Sequence, residues 1–226
     1  MKFIINNFLI GGVIGFFSAM FILMMMNDIT IRPVIVFNGL AVIIAILIGI
    51  SMIFISQIMS GIKQDVSGEE EDELDRKLYI KSSDTGMLIN SAIIFSIILL
   101  SMSIIESLQL MYTVIAILLI LAAVTLQYYQ SSLYKKMYPE RDMPSVNDPD
   151  YEEKLVNIAD EGERFVILQG MMKAYNMYTL LLILAIIIST IYSLFSEHQQ
   201  MFSIVLMGLI LIVSNGAYFI TIRKKA

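Results

Sequence analysis

The feature that most constrains this chain is a series of continuous apolar segments. A helix needs about 20 mainly apolar residues to cross the hydrocarbon core of a bilayer. The segments that meet this requirement are residues 4–26, 34–58, 87–105, 111–130, 176–195 and 201–222. Their apolar residues do not alternate with polar ones, and only helices or closed barrels satisfy every backbone group in lipid. The pattern predicts one all-α integral membrane domain over residues 1–226, with six transmembrane helices in three hairpins.

The overall composition agrees with a membrane protein. The chain is 58% hydrophobic and 15% charged, and its mean hydropathy is +0.78. A soluble globular domain has about a quarter of its residues charged. The first apolar segment has no small-residue cleavage site followed by a polar mature start, so we expect it to remain as a span. The composition excludes a single water-soluble core.

The distribution of basic residues predicts the orientation. Lys and Arg concentrate in cytoplasmic loops, whereas Asp and Glu have little influence on topology. With six spans, every Lys and Arg except Arg32 falls on the side that also holds both termini. The sequence therefore predicts a multi-pass protein of the cell membrane with both termini in the cytoplasm. The net charge of −5 does not contradict this orientation.

The loops on the two sides differ in size. The outer links at 27–33, 106–109 and 196–200 are too short for a folded external domain. The inner loops at about 60–86 and 131–175 are longer and are predicted to be helical. In the second, Asp148 can cap a helix and Pro149 suits its first turn. We expect one helix from about residue 149 into the fifth span, with Gly162 or Gly170 as the place for a bend.

A charged cluster lies in the stretch "NIADEGERFVIL" at residues 157–168. On a helix, Asp160 and Arg164 are four residues apart and can pair. Two interpretations stay open: a solvated helix face, or a surface that contacts a cytoplasmic partner or another loop. A turn stiffened by prolines precedes the cluster and carries further charges. The candidate contact residues are Glu140, Arg141, Asp160, Glu161, Glu163 and Arg164.

The sequence gives no support for chemistry at this cluster. Cysteine is absent and His198 is the only histidine. His198 lies in an outer link, so the hydrocarbon core of about 30 Å separates it from the inner carboxylates. A general base must lie within hydrogen-bond reach of its target. We therefore predict no catalytic, cofactor or metal site, no enzymatic activity and no direct nucleic-acid binding.

Small residues in the first two spans predict close helix packing. Residues of this kind, four apart, let helices approach closely in membranes. The candidate packing residues are Gly11, Gly15 and Ala19 in the first span and Ala45 and Gly49 in the second. Among the polar residues of the spans, Asn215 lies deepest and is expected to hydrogen-bond between helices.

The second inner loop carries a resemblance to a known family. The segments "KKMYPERDMP" and "KLVNIADEGER", together with six spans, resemble a family of uncharacterised membrane proteins of low-GC Gram-positive bacteria, catalogued as a domain of unknown function. The resemblance covers nearly the whole chain. It implies a bacterial membrane protein whose gene lies beside genes for small DNA-binding regulators, transport or peptide resistance. The resemblance assigns no functional residues.

These observations favour a non-enzymatic regulatory or adaptor protein whose cytoplasmic loops bind a soluble partner. The alternatives are the membrane subunit of an ABC-type exporter, which would bind an ATPase, and a peptide-immunity protein. The expected partners are the lipid bilayer and a cytoplasmic regulator or ATPase, and a homo-oligomer also remains open.

Overall fold

The computed structural model describes residues 32–64, 67–141, 151–195 and 199–225, and every regular element in them is a helix. The helices are α1 (Pro33–Gly61), α2 (Glu69–Ile105), α3 (Leu110–Met137), α4 (Tyr151–Ile158), α5 (Glu161–Phe195) and α6 (Met201–Lys225). They form two compact units, α1–α3 and α4–α6. The predicted all-α fold is confirmed for these residues.

Five described helices are long and apolar enough to cross a membrane: α1, α2, α3, α5 and the Met201–Thr221 part of α6. The chain is therefore a helical, multi-pass membrane protein. The predicted first span, residues 4–26, lies outside the described residues. The pairing of the spans in three hairpins and the side on which each loop lies stay predictions.

Helix α2 is longer than a bilayer requires. Its 37 residues correspond to about 55 Å at 1.5 Å per residue, against a hydrocarbon core of about 30 Å. The additional length is the charged first half, which begins with Glu69, Glu70, Glu71 and Asp72. Much of the predicted first inner loop is thus the start of α2, where these acids complement the positive end of the helix dipole.

A regular seam of buried residues makes α2 the centre of the first unit. Alternating steps of four and three residues separate Leu78, Ser82, Thr85, Ile89, Ala92, Ser96, Leu99 and Ser103. This spacing keeps one face of a helix against its neighbours, as in left-handed helical bundles. The seam packs against buried residues of α1 and α3, including Phe37 and Ala116.

Two buried hydroxyl groups of this unit, those of Ser51 and Ser96, are satisfied within their own helices. Ser51 donates to the Leu47 carbonyl at 2.8 Å, and Ser96 donates to the Ala92 carbonyl at 2.7 Å. A hydroxyl bonded to the preceding turn can be buried without losing its hydrogen bond. The small side chain also allows close approach of the facing helix. Serine therefore serves here as a packing residue.

The turn between α2 and α3 contains a strained residue. Ser107 has a φ of 48°, which is in the left-handed region that favours glycine. Its N–H bonds the Ile104 carbonyl, and the Leu108 N–H bonds the Ser103 carbonyl. Together these bonds form the Schellman motif that ends many helices. The cap requires a conformation that a serine adopts only at a cost.

We expect Ser107→Gly to stabilise the protein by about 0.5–1 kcal/mol, because glycine relieves the left-handed strain. Thermal unfolding of the purified protein in detergent, followed by helical circular dichroism, measures the change. Ser101→Gly is the matched control: Ser101 lies inside α2, where glycine should be destabilising. A Ser107→Gly protein that melts below the wild type would contradict this account of the turn.

In the second unit, α5 and α6 pack together. Within the described residues, no residue of α5 is buried. Large apolar side chains are exposed along both helices, for example Leu181 at 53% and Leu209 at 52%. An extensive apolar surface of this kind is rare on soluble monomers and suits helices surrounded by lipid or by other helices.

Candidate functional site

The charged cluster forms the junction between α4 and α5. Helix α4 ends at Ile158 and α5 begins at Glu161. The backbone N–H of Glu163 donates to Asp160 Oδ1 at 2.7 Å, and the Asp160 N–H donates to Glu163 Oε2 at 3.1 Å. These reciprocal bonds are a capping box, which satisfies N–H groups that the start of a helix leaves without partners. Asp160 therefore starts a new helix.

Arg164 fixes the other side of the junction. Its Nε donates to the Ala159 carbonyl at 2.8 Å, and its Nη2 donates to the Asn157 carbonyl at 2.9 Å. The last carbonyls of a helix have no intrahelical partners, and a cation at that end is favourable. Arg164 thus reaches back from the first turn of α5 and binds the C-terminal end of α4.

Two predictions about this segment are wrong. The single helix expected from about residue 149 is divided at Ala159–Asp160, because Asp160 caps α5 instead of continuing α4. The expected Asp160–Arg164 pair does not form between these two described residues. The carboxylate accepts the Glu163 N–H, and the guanidinium binds carbonyl oxygens. The bend predicted near Gly162 lies two residues from the observed break.

The junction presents charge on its surface. Asp160, Glu161 and Arg164 are exposed, and Glu163 is half-buried. Ala159, between the two helices, is only 8% exposed. The bonds of the junction fix the backbone from residue 157 to 164, so the exposed charges stand on an ordered support. Such a surface can bind a charged partner, and the structure brings these four candidate contact residues together.

The other two candidate contact residues belong to the first unit. Glu140 is exposed in the turn that follows α3. The Arg141 guanidinium lies over the Tyr138 ring, 5.1 Å from its centroid, and the Arg141 N–H donates to the Tyr138 carbonyl at 3.2 Å. A guanidinium in this position gains from the negative face of the ring. The predicted role of Glu140 and Arg141 as contact residues stays a prediction.

A polar layer, buried at Gln130 and Ser82 and exposed at Gln57, crosses the first unit. The Gln130 Nε2 donates to the Ser82 carbonyl at 2.7 Å and so joins α3 to α2. The Lys81 Nζ donates to Gln57 Oε1 at 2.7 Å and joins α2 to α1. Gln130 reaches α2 because position 86 is a glycine: a Cβ there would lie 3.2 Å from Gln130 Nε2. Polar bonds between helices stabilise membrane bundles.

Two side-chain atoms of this layer are buried without a hydrogen-bond partner among the described residues: Ser82 Oγ and Gln130 Oε1. Their residues are 1% and 3% exposed. Neither group ionises, so the pair can donate and accept hydrogen bonds but cannot serve as a general acid or base near neutral pH. The layer has the character of a structural contact between α2 and α3.

The second unit has its own polar contact. The Tyr175 hydroxyl donates to Asn215 Oδ1 and joins α5 to α6. The Asn215 Nδ2 donates to the Leu211 carbonyl at 2.8 Å. Tyr218 stacks on Tyr175 with ring centroids 5.4 Å apart. The expected interhelical hydrogen bond of Asn215 is therefore confirmed.

The predicted packing face of the second span lies on α1. Ala45 is exposed, and a Cβ built on Gly49 would meet no atom within 4 Å. Gly11, Gly15 and Ala19, the residues expected to pack there, lie outside the described residues. The contact between the two sets of small residues stays a prediction.

The described residues contain no group of three or more His, Cys, Asp or Glu side chains placed to hold a metal ion. The acidic start of α2 instead has its carboxylates at the surface. There, Lys77 Nζ pairs with Glu73 Oε1 at 2.8 Å. Both side chains are well exposed and the pair is screened by solvent, so it adds little to stability.

Comparison with known families decides the classification. A family model described as "Protein of unknown function (DUF3169)" matches residues 1–222. The chain belongs to this family. The resemblance to an uncharacterised membrane protein family is therefore confirmed at that level, whereas the range of its members among bacteria stays an expectation.

The match includes both the α4–α5 junction and the polar layer of this DUF3169 protein. No curated protein and no solved structure matches the chain. The function of this DUF3169 protein is consequently inferred from its own residues.

Proposed function

We propose that this DUF3169 protein is a non-enzymatic regulatory or adaptor protein of the cell membrane, which binds a soluble cytoplasmic partner. The observation that carries the proposal is the α4–α5 junction, where an exposed charged surface is ordered by four side-chain hydrogen bonds. The same bonds that satisfy the two helix ends also hold these exposed charges on a fixed backbone. A surface that is already ordered loses less conformational entropy when it binds a partner.

The proposal includes the orientation, with both termini and the α4–α5 junction in the cytoplasm. It is supported by the basic residues, which lie on the side of the termini except for Arg32. Residue 106 would then lie outside and residue 140 inside.

The absence of native cysteine makes this orientation directly measurable. In intact cells, a membrane-impermeant maleimide should label Glu106→Cys at once, because that residue is exposed in the outer turn. It should label Glu140→Cys only after the cells are permeabilised. Both positions are exposed in the structure, so a difference in labelling reports the side of the membrane on which each residue lies. Labelling of Glu140→Cys from outside would overturn the proposed orientation.

Partner binding is tested by reversing one charge at the junction. Glu161→Lys changes an exposed residue whose side chain takes no part in the capping box, so the junction should persist. We expect recovery of the partner with the tagged, full-length chain to fall at least about tenfold, as for a contact worth 1.4 kcal/mol or more. Cross-linking in intact cells followed by quantitative mass spectrometry measures this recovery.

Glu106→Lys is the matched control, since it reverses an exposed acid in the outer turn and should leave recovery unchanged. The proposal fails if no soluble protein depends on residue 161 for its recovery. It also fails if the control reduces recovery by the same factor, because the effect would then come from net charge alone.

A second candidate function is the membrane subunit of an exporter driven by a separate ATPase. Helix α4 favours it, because an eight-residue helix separate from the following span resembles an element that docks a cytoplasmic ATPase. Deleting Tyr151–Ile158 should then abolish both association with an ATPase and its stimulated ATP hydrolysis in reconstituted vesicles. A partner without ATPase activity that depends on Glu161 would favour the adaptor.

A further inference from the structure

An apolar groove lies between α1 and α3 in the first unit. It has a volume of about 320 Å³ and is lined by Met52, Ile55, Ser56, Met59, Thr125, Leu126 and Tyr129. Ligand pockets have volumes of about 300–1,000 Å³, so the groove is of the size that accepts one slender apolar molecule. Both bordering helices are long and apolar enough to span a membrane, and therefore lipid chains are the apolar molecules next to it.

One end of the groove is closed by a contact between the two helices. The Tyr129 hydroxyl donates to the Met59 sulfur at 3.0 Å. Tyr129 is 39% exposed, and an aromatic ring with a polar tip is typical of the level at which a bilayer passes from hydrocarbon to headgroups. The Tyr129–Met59 contact thus marks the headgroup end of the groove.

Beyond that contact, a lysine lies near the end of each helix. At about 100° per residue, Lys136 lies only about 20° from the direction of Tyr129 around α3. Lys63 follows Met59 by four residues and lies in the turn directly after α1, where Ile62 keeps helical backbone angles. Both lysines are exposed. Among the described residues, neither ammonium group takes part in an ion pair.

We propose that this groove binds one anionic phospholipid, with an acyl chain along the apolar lining and its phosphate between Lys63 and Lys136. Charge complementarity favours a lipid over a helix as the occupant, because two exposed lysines lie beyond the headgroup end of the apolar groove. An acyl chain attached to a phosphate has the same order of apolar and charged parts. The proposal depends on α1 and α3 crossing the membrane and is independent of any cytoplasmic partner.

The test uses the full-length protein in detergent and native mass spectrometry, with phosphatidylglycerol and phosphatidylcholine as probes. We expect one phosphatidylglycerol to bind more tightly than phosphatidylcholine. Each of Lys63→Gln and Lys136→Gln should weaken phosphatidylglycerol binding about fivefold, as for one basic residue near a membrane surface. Phosphatidylcholine binding should change little in both variants.

The matched control is Lys135→Gln. Lys135 is equally part of the last turn of α3, but it lies about 120° from the direction of Tyr129 and should leave the affinity unchanged. A third variant, Thr125→Phe, places a ring in the groove and should weaken binding of both lipids. Thr125 is exposed and donates within its own helix, to the Leu121 carbonyl, so the substitution spares the core.

Equal affinity of wild type and the Lys63→Gln/Lys136→Gln variant for phosphatidylglycerol would overturn the proposal. So would an equal loss from Lys135→Gln, which would indicate attraction by net charge only. A third contrary result combines two observations. A Thr125→Cys variant cross-links efficiently to a cysteine placed in residues 4–26 or in a second copy, and Thr125→Phe leaves the affinity for lipid unchanged. In that case the occupant is a helix.

Discussion

Gly61→Val should destabilise the protein by about 1–3 kcal/mol, the range for overpacking a closely packed site. Gly61 is the last residue of α1 and lies against Leu78 of α2. A Cβ at position 61 would lie 2.5 Å from Leu78 Cδ2 and 3.4 Å from its Cγ. Leu78 is only 7% exposed and belongs to the cluster with Ile58 and Leu133, so it has little room to move.

Thermal unfolding in detergent measures this loss, and a double variant identifies its cause. Gly39→Val is the matched control in the same helix, because a Cβ at Gly39 would meet no atom within 4 Å; it should change stability little. In Gly61→Val/Leu78→Ala the two volume changes offset each other. The double variant should therefore lose at least about 1 kcal/mol less than the sum of the single variants. Additive losses would show that Gly61 and Leu78 are not in contact.

Asp160→Ala should release the start of α5. Removing a side chain that caps a helix costs about 0.5–2 kcal/mol, and here it also removes the bond to the Glu163 N–H. A loss of this size raises the equilibrium constant for local opening of the helix start by about 2–30 times. Hydrogen exchange at the Glu163 amide should become faster by the same factor. Nuclear magnetic resonance of the labelled protein in micelles measures this rate.

The control for this prediction is Asp160→Asn. Asparagine is as good an N-terminal cap as aspartate, so protection of the Glu163 amide should be retained. Unchanged exchange in Asp160→Ala would contradict the capping box. If the junction is also the partner surface, Asp160→Ala should reduce partner recovery whereas Asp160→Asn should largely preserve it, because only the first loses the ordered support.

The apolar segments predicted the starts of α1, α3 and α6 to within one residue, but α2 and α5 begin well before their apolar segments. Hydropathy marks the part of a helix inside the bilayer, and it ends where charged residues start. Helix α2 nevertheless begins at Glu69, since Leu78 and Leu74 continue its packing face through a charged region. The helical connection in the second inner loop was predicted, but its division at Asp160 was not.

The break was hidden because two patterns share the same residues. Asp160 and Arg164 have the spacing of a helical ion pair, whereas Asp160 and Glu163 have the spacing of a capping box. Apolar residues at Ile158 and Phe165 suggested that the helix continued. An exposed ion pair contributes only about 0.2–0.5 kcal/mol. The two reciprocal bonds of the capping box and the two bonds from Arg164 to carbonyl oxygens together outweigh it.

The buried seam of α2 was present in the sequence but was not recognised there. The seam includes Ser82, Thr85 and Ser96. A hydropathy pattern counts only apolar residues, so these polar positions interrupt the seam in the sequence. The lipid-facing side of the same helix is also apolar, for example Ile94 and Ile98. In a membrane helix small size identifies the packed face better than hydrophobicity does, because lipid is as apolar as the core.

A photoreactive residue at position 161 tests whether the α4–α5 junction contacts a cytoplasmic partner, as we propose. In intact cells, irradiation should join this position of the full-length chain to one defined soluble protein. The same residue at position 106 should give no such product, and Asp160→Ala should reduce the yield at 161. If position 161 reacts only with lipid or solvent in the cells that produce the protein, the α4–α5 junction does not contact a soluble partner and the proposal is contradicted.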